Sequence, residues 1–148
     1  MRAMDLADAD ATATLGAKLA AHLRVGDVVL LRGDLGAGKT TLARGLIEGW
    51  TGAAEDAPSP TYTLVQVYEA AHGPLWHMDL YRLNDPDEAY ELGLEDALVE
   101  ALTVIEWPER LPGFAPRDRL EIDLAPRGGG RQAIVQGFGR LEGVVHEL

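Results

Sequence analysis

The sequence contains no cysteine, one serine, one asparagine and two lysines. Without cysteine, disulfide scaffolds, thiolate zinc sites and cysteine nucleophiles are all excluded. The single serine, Ser59, lies in Pro-Ser-Pro, so the chain has no Gly-x-Ser-x-Gly nucleophile elbow. The longest Val/Leu run, Val28 to Leu31, is far too short to span a bilayer, and the N-terminus has no basic, apolar signal segment. We therefore expect a cytoplasmic protein with no membrane contact.

Basic residues are also scarce: 13 Lys and Arg against 24 Asp and Glu give a net charge of −11. Direct binding of nucleic acid usually needs a concentrated basic face, so we do not expect it here. Acids concentrate in residues 85–100, which favours either a solvated helix face or a partner-docking surface. Any RNA contact should be sought on residues 107–140, where six arginines stand against four acids.

The length of 148 residues and the 47% hydrophobic content predict one globular domain, residues 1–148. Leucines at every fourth position predict a helix over Thr12–Arg24, with Asp10 or Thr12 as its cap. The apolar run Val28–Leu31 predicts a buried strand, and helical spacing resumes over Thr40–Trp50 after a glycine-rich turn. A strand, a glycine loop and a helix in this order open an α/β sheet.

The remaining pattern adds two antiparallel hairpins and another buried strand. The predicted elements are a loop over Thr51–Pro60, strands over Tyr62–Glu69 and Leu75–Arg82, a helix from Asp85 to Glu100, a strand over Leu102–Trp107, and strands over Arg119–Leu124 and Arg131–Phe138 joined at Gly128–Gly130. The final ten residues carry no assignment. The predicted fold is a three-layer α/β/α arrangement, with a mixed sheet that includes antiparallel hairpins.

The glycine-rich turn fits the pattern G-x-x-x-x-G-K-[ST] without a mismatch. Glycines let the backbone turn tightly and aim several N–H groups at a phosphate, and the following helix adds its positive N-terminal dipole. In this pattern the lysine reaches the β- and γ-phosphates and the hydroxyl binds Mg²⁺. The predicted nucleotide-binding residues are Gly33, Asp34, Leu35, Gly36, Ala37, Gly38, Lys39, Thr40 and Thr41.

Two acids are candidates for a second magnesium ligand. Asp79 lies late in a predicted hairpin strand, and Glu106 ends the apolar run Leu-Thr-Val-Ile-Glu. Ligands of α/β proteins gather at the carboxyl ends of strands, and a carboxylate inside an apolar strand is costly unless it is paired or metal-bound. Either acid could instead belong to a structural ion pair. Trp107 could be a core residue or part of a lid against the nucleotide.

The sequence favours ATP over GTP. Guanine selection in GTPases uses an Asn-Lys-x-Asp box, which this chain cannot form because its only asparagine, Asn84, is followed by Asp85. The chain also has no Asp-x-x-Gly switch. We therefore expect ATP as substrate and Mg²⁺ as its metal.

Four segments of the chain form a combination that is more specific than the glycine loop alone. In chain order they are Gly33 to Thr40, Ser59-Pro60-Thr61-Tyr62, His77-Met78-Asp79-Leu80-Tyr81-Arg82 and Ile105-Glu106-Trp107-Pro108-Glu109. Together they resemble the TsaE (YjeE) family of small bacterial P-loop ATPases, and the predicted three-layer fold is then of the P-loop NTPase type. The glycine loop alone is shared by many NTPases, but the combination is narrow. The resemblance runs from about Leu15 to the C-terminal hairpin.

The resemblance implies an ATPase that works with TsaB and TsaD proteins in tRNA N6-threonylcarbamoyladenosine modification. The modified tRNAs read codons that begin with A, and this subunit would meet tRNA only indirectly, through the complex. It also implies catalytic roles for Lys39, Asp79 and Glu106, metal contacts from Thr40 and Glu106, and a nucleotide-side position for Trp107. Ser59, Pro60 and Thr61 would form a switch-like loop. An arginine finger contributes about 10³–10⁵ in rate elsewhere, and without one the isolated chain would hydrolyse ATP slowly. We therefore expect weak activity alone and stimulation by the partners.

Two other interpretations remain. A small-molecule kinase also combines a glycine loop with a compact α/β domain, but it usually needs an arginine-rich lid, and only Arg44 and Arg82 lie between Ala43 and Arg110. A nucleotide-gated docking module would use binding to order a loop, with assembly and not turnover as its output.

Overall fold

The computed structural model describes residues 1–52 and 64–148. The predicted switch-like residues Ser59, Pro60 and Thr61 lie outside the described residues, as does most of the loop predicted over Thr51–Pro60. Seven strands form one mixed sheet in the order β1-β7-β6-β2-β5-β4-β3. The strands are β1 (Arg2–Leu6), β2 (Val28–Arg32), β3 (Val65–Tyr68), β4 (Leu75–Asp79), β5 (Leu102–Glu106), β6 (Arg119–Arg127) and β7 (Gly130–Phe138).

Helices cover both faces of this sheet, which confirms the predicted three-layer arrangement. The helices are α1 (Ala9–Ala20), α2 (Lys39–Thr51), α3 (Asp87–Glu91) and α4 (Leu94–Glu100). Helices α1 and α2 pack over Val29 and Leu31 of β2, and α3 and α4 cover Val28 and Leu30 on the other face. Because both faces of β2 are covered by helices, its sequence is a continuous hydrophobic run. No helix among residues 1–52 and 64–148 is long and apolar enough to cross a membrane.

The centre of the sheet is parallel and fixes the position of the glycine loop. Strand β2 pairs in parallel with β5 on one side and with β6 on the other, and β4 pairs in parallel with β5. The carboxyl ends of β2, β4 and β5 therefore meet at one edge. The loop from β2 to α2 leaves from this edge, where ligands of α/β proteins bind.

Both predicted hairpins are present, with corrected bounds. Strands β3 and β4 pair antiparallel, but β4 ends at Asp79 and not at Arg82, because Oδ1 of Asp79 accepts a hydrogen bond from the Tyr81 N–H (3.1 Å) and turns the chain. Strands β6 and β7 pair from Arg119 to Phe138, so β6 extends past the predicted end. Strand β5 ends one residue before Trp107, which takes a left-handed conformation with φ 61°.

Two helix predictions need correction. Helix α1 begins at Ala9, because Asp8, and neither Asp10 nor Thr12, accepts the Ala11 N–H (2.8 Å) as its cap. It also ends at Ala20, short of the predicted Arg24. The single helix predicted over residues 85–100 is two helices, because Gly93 adopts φ 100°, which a helix interior does not allow.

One strand is absent from the sequence prediction. Strand β1, Arg2–Leu6, pairs antiparallel with β7 at the edge of the sheet. The unassigned C-terminal residues form 3-10 turns over Gly139–Leu141 and Val144–Glu147. Leu141 and Val145 of these turns are buried in the core beneath α1 and α2.

Candidate functional site at the carboxyl edge of the sheet

The glycine loop leads into α2, and no side chain caps the N-terminus of this helix. Gly38 precedes the helix in a left-handed conformation with φ 104°, a region that favours glycine. The first N–H groups of a helix have no partners within it, so they remain available at the N-terminus of α2. This places positive partial charge at the same edge as the ends of β4 and β5.

Lys39 is the first residue of α2, and its side chain folds back over the loop. Its Nζ donates hydrogen bonds to the carbonyl oxygens of Gly33 and of Asp34, the latter at 2.9 Å. It also lies 4.2 Å from the centre of the Trp107 ring, within range of a cation–π contact. Burial lowers the pKa of Lys39 below its usual value, while the nearby carboxylates, led by Glu106, oppose that shift.

The two candidate acids lie side by side. Asp79 ends β4 and Glu106 ends β5, and the two residues face each other in the parallel register. Both are buried, at 6% and 2% exposure. Oε1 of Glu106 accepts a hydrogen bond from the Thr40 hydroxyl at 2.9 Å, so the loop and β5 are joined across the sheet edge. The carboxylate and the hydroxyl together form an oxygen pair of the kind that Mg²⁺ prefers.

These residues enclose one cavity of about 240 Å³. Its lining includes most of the predicted site: Leu35, Gly36, Gly38, Lys39, Thr40, Thr41, Asp79, Glu106 and Trp107. Gly33, Asp34 and Ala37 do not line it. The first two accept from Lys39, and Ala37 is buried at 2% exposure. Trp107 is half-buried and packs against the α3–α4 face of the core, so it is both a core contact and a cavity wall.

A second cavity of about 200 Å³ lies beside the first. It shares Gly36, Gly38 and Thr41 with the first, and Thr12 of α1 and its cap Asp8 contribute another wall. The two cavities therefore meet along the glycine loop. Within the described ranges, 1–52 and 64–148, no cluster of three or more His, Asp or Glu side chains forms a metal site.

Sequence reasoning missed Tyr81, which lines the cavity, and two residues that contact the site. Arg131, at the start of β7, donates to the carbonyls of Gly36 (2.9 Å) and Ala37 (3.1 Å) and so holds the glycine loop. His77 of β4 lies within hydrogen-bond distance of Glu106, with 2.6 Å between Nε2 and Oε2. No local pattern marks Arg131, but His77 shares the apolar strand and its inward face with Asp79, and that alternation was a usable signal.

Comparison with known proteins shows the family of the chain. Residues 6–134 match the family described as "Threonylcarbamoyl adenosine biosynthesis protein TsaE". The TsaE protein of Rickettsia bellii is 46% identical over 105 residues, which cover 71% of this chain and 73% of that protein. The TsaE protein of a Nostoc species is 42% identical over 139 residues, which cover 90% and 84%.

A solved structure, that of Bacillus subtilis YdiB, has the same fold. It superposes with a TM-score of 0.80 at 28% identity and covers 99% of this chain and 91% of that one. The seven-stranded mixed sheet with helices on both faces is thus a P-loop NTPase-like fold. With the match over residues 6–134 and relatives above 40% identity, the chain belongs to the TsaE family.

Proposed function

We propose that this chain binds ATP with Mg²⁺ and hydrolyses it as the cytoplasmic ATPase subunit of tRNA N6-threonylcarbamoyladenosine biosynthesis, acting with TsaB- and TsaD-type proteins. One observation carries the proposal: the Thr40 hydroxyl, the Glu106 carboxylate and Asp79 converge at the N-terminus of the helix that follows the glycine loop. Family membership supports the pathway.

The triphosphate fits the edge formed by the glycine loop. Lys39 is the one cation among the described residues that line the cavity, and its hydrogen bonds to the Gly33 and Asp34 carbonyls can be exchanged for stronger bonds to phosphate oxygens. The α2 N-terminus adds N–H donors at the same place. The cavity beside Asp8, Thr12 and Arg131 continues from Thr41, so the nucleoside would lie there.

The oxygen pair of Thr40 and Glu106 suits a magnesium ion that shares its remaining positions with water and phosphate oxygens. Magnesium is usually held by one or two carboxylates together with substrate phosphates, and a cluster of three protein acids is not required. When bound, the ion would neutralise charge on the phosphate oxygens. Thr40 and Glu106 would hold it.

Asp79 is the residue we assign to hydrolysis. Phosphoryl transfer relies mainly on positioning and charge neutralisation, and one carboxylate that orients the attacking water is sufficient. Asp79 is fixed by the Tyr81 N–H and faces the cavity next to Glu106. We expect slow turnover by the isolated chain and faster turnover with the partners.

The charge distribution supports an indirect relation to tRNA. Five of the six arginines in residues 107–140 make contacts within the chain: Arg110 with Tyr81, Arg119 with Glu121, Arg127 with Asp5, Arg131 with the glycine loop and Arg140 with Asp27. The net charge of −11 also opposes an RNA surface. The partners would therefore hold the tRNA.

The test is the substitution Asp79→Ala, assayed for ATP binding and for phosphate release. We expect binding close to that of the wild type and phosphate release reduced at least about 100-fold, the lower end of what a positioned catalytic group supplies. Asp123→Ala, an exposed acid of β6, is the matched control and should hydrolyse normally. Normal hydrolysis by Asp79→Ala would refute the assignment.

Labelled ATP separates hydrolysis from the kinase alternative. With [γ-³²P]ATP and cell extract, we expect free phosphate as the labelled product, whereas a phosphorylated metabolite would indicate a kinase. Adding TsaB and TsaD should raise the rate, and equal turnover with and without them would contradict the partnership. Co-purification with ATP, with ADP and without nucleotide tests whether binding alone controls assembly.

A further inference from the structure

His77 is a buried titratable group to which the mechanism above gives no role. It lies on β4 two residues before Asp79 and faces the same side of the sheet. Its side chain is 1% exposed, and its Nε2 lies 2.6 Å from Oε2 of Glu106. Burying an imidazole at the centre of a sheet is costly unless its polar atoms have partners.

The Glu106 carboxylate is held from two sides. The Thr40 hydroxyl donates to Oε1 from the cavity, and His77 contacts Oε2 from inside the sheet. The 2.6 Å contact fits an Nε2–H donor and a carboxylate acceptor, since a carboxylate without a proton can only accept. Oε2 is therefore occupied by the imidazole, and Oε1 is left facing the cavity.

The other ring nitrogen supports this direction of the hydrogen bond. Within the described part of the chain, Nδ1 of His77 is buried and has no hydrogen-bond partner. A buried histidine with only a structural role would be expected to form hydrogen bonds through both ring nitrogens. Only the contact with Glu106 gives this imidazole a partner among the described residues.

We infer that His77 is a positioning residue that orients the Glu106 carboxylate so that Oε1 presents itself, beside Thr40, to the magnesium ion. The inference rests on the proposed function, because it assigns a role toward that ion. His77 itself touches neither nucleotide nor metal. Residues that orient a metal ligand in this way typically contribute about 10- to 100-fold to metal affinity.

The test uses the ratio of ATP dissociation constants measured in EDTA and in Mg²⁺, with the full chain. Three substitutions separate the hydrogen bond from packing: His77→Gln places an amide N–H near the position of Nε2, His77→Asn reaches only as far as Nδ1, and His77→Leu fills the space without a donor. We expect His77→Leu and His77→Asn to reduce this ratio about 10-fold, and His77→Gln to retain most of it.

The affinity measured in EDTA serves as the internal control. It should stay the same in all three variants, because the glycine loop and Lys39 do not contact His77 by hydrogen bonds. Met78→Leu, a buried change on the opposite face of β4, is the matched packing control and should keep the wild-type ratio. A purely structural role would lower both affinities together and would not distinguish Gln from Asn.

Nitrogen NMR of the nucleotide-free protein gives a readout independent of ATP. It should show the proton of His77 on Nε2, and a proton found only on Nδ1 would overturn the inference. Wild-type ratios in the Leu and Asn variants, or a Gln variant as impaired as Leu, would also overturn it. Failure of the wild type to bind ATP would instead refute the proposed function, so the two failures are distinguishable.

Discussion

Two buried carboxylates lie at opposite ends of the central strands of the sheet, and their surroundings differ. Asp27 precedes β2, and its side chain is 2% exposed. Glu106 ends β5, and its side chain is 3% exposed. Arg140 grips Asp27 with two nitrogens, Nε at 2.9 Å and Nη2 at 2.5 Å, and the Arg24 N–H adds a third bond. Glu106 accepts a hydrogen bond from a hydroxyl and lies within hydrogen-bond distance of an imidazole.

We propose that this difference separates a structural acid, Asp27, from a candidate metal ligand, Glu106. A guanidinium fork satisfies the geometry and the charge of a carboxylate together, and it leaves no capacity for another cation. Even so, burial raises the pKa of Asp27 above its usual value, which shows how costly the buried charge remains. Among residues 1–52 and 64–148, Glu106 contacts a hydroxyl and an imidazole and has no guanidinium partner, which leaves it the capacity for a cation that our proposal assigns to it.

The largest effect should come from removing the cation at the carboxyl edge. Lys39→Ala should weaken ATP binding at least about 100-fold, because hydrogen bonds to charged groups contribute about 1.5–3 kcal/mol each and Lys39 would make them to two phosphates. Isothermal titration measures the change. Lys18→Ala, which removes the other lysine from an exposed site on α1, should bind normally, and equal loss in both variants would contradict the site.

A substitution beside Asp27 should lower the stability of the fold and leave ATP binding unchanged. Arg140→Ala leaves Asp27 buried without its partner, which should cost about 3 kcal/mol in the free energy of unfolding at neutral pH. Because the pKa of Asp27 is raised, the loss should shrink as pH falls and Asp27 becomes protonated. Urea unfolding across pH checks this.

The control for Arg140 is Arg127→Ala. The pair of Arg127 and Asp5 is exposed, at 3.6 Å, and should contribute almost nothing. An unfolding midpoint of Arg140→Ala as high as that of the control would show that the buried pair is not what holds this end of the sheet. A loss of ATP affinity in Arg140→Ala, once folded, would contradict the separation of the two ends.

A smaller effect on the free energy of unfolding is expected from Glu121, which lies on β6. Burial raises the pKa of Glu121, but hydrogen bonds from Arg119 (2.7 Å) and Arg32 (2.6 Å) outweigh it and hold the pKa below its usual value. A lowered pKa stabilises the fold above the usual range of the group, and this contribution is lost as pH falls through the folded value. Glu121→Gln should therefore cost about 1 kcal/mol at neutral pH and progressively less in acid.

Urea unfolding at several pH values measures this, with Glu48→Gln on the exposed face of α2 as the control. A pH-independent cost for Glu121→Gln would contradict the sign of the shift. A cost as large as that of Arg140→Ala would remove the distinction between a partly exposed ion pair and a buried one.

Short sequence patterns predicted those elements of the fold that neighbouring residues define. The strand over Val28–Leu31, the glycine loop and the helix over Thr40–Trp50 were all confirmed within a residue or two, because an apolar run and a glycine motif define them. Strand β1 was missed because Arg-Ala-Met-Asp-Leu has only weak alternation and gains its order from pairing with β7, far along the chain. Gly93 was overlooked as a helix break.

The candidate site shows the same division. Asp79 and Glu106 could be predicted, because each stands at the end of an apolar strand. Their direct pairing in the register, the bond from Thr40 and the hold of Arg131 on the loop could not, because each joins segments that only the sheet brings together. Non-local contacts leave no signal in a single sequence. The roles of these residues stay predictions until they are measured.

The central claim is that the buried acid without a guanidinium partner is the magnesium ligand of an ATP site. The most direct test is the ratio of ATP dissociation constants in EDTA and in Mg²⁺, compared between wild type and Glu106→Gln. We predict that the wild type binds more tightly with Mg²⁺ and that Glu106→Gln loses most of this gain while keeping its affinity in EDTA. An unchanged ratio in Glu106→Gln would contradict the account.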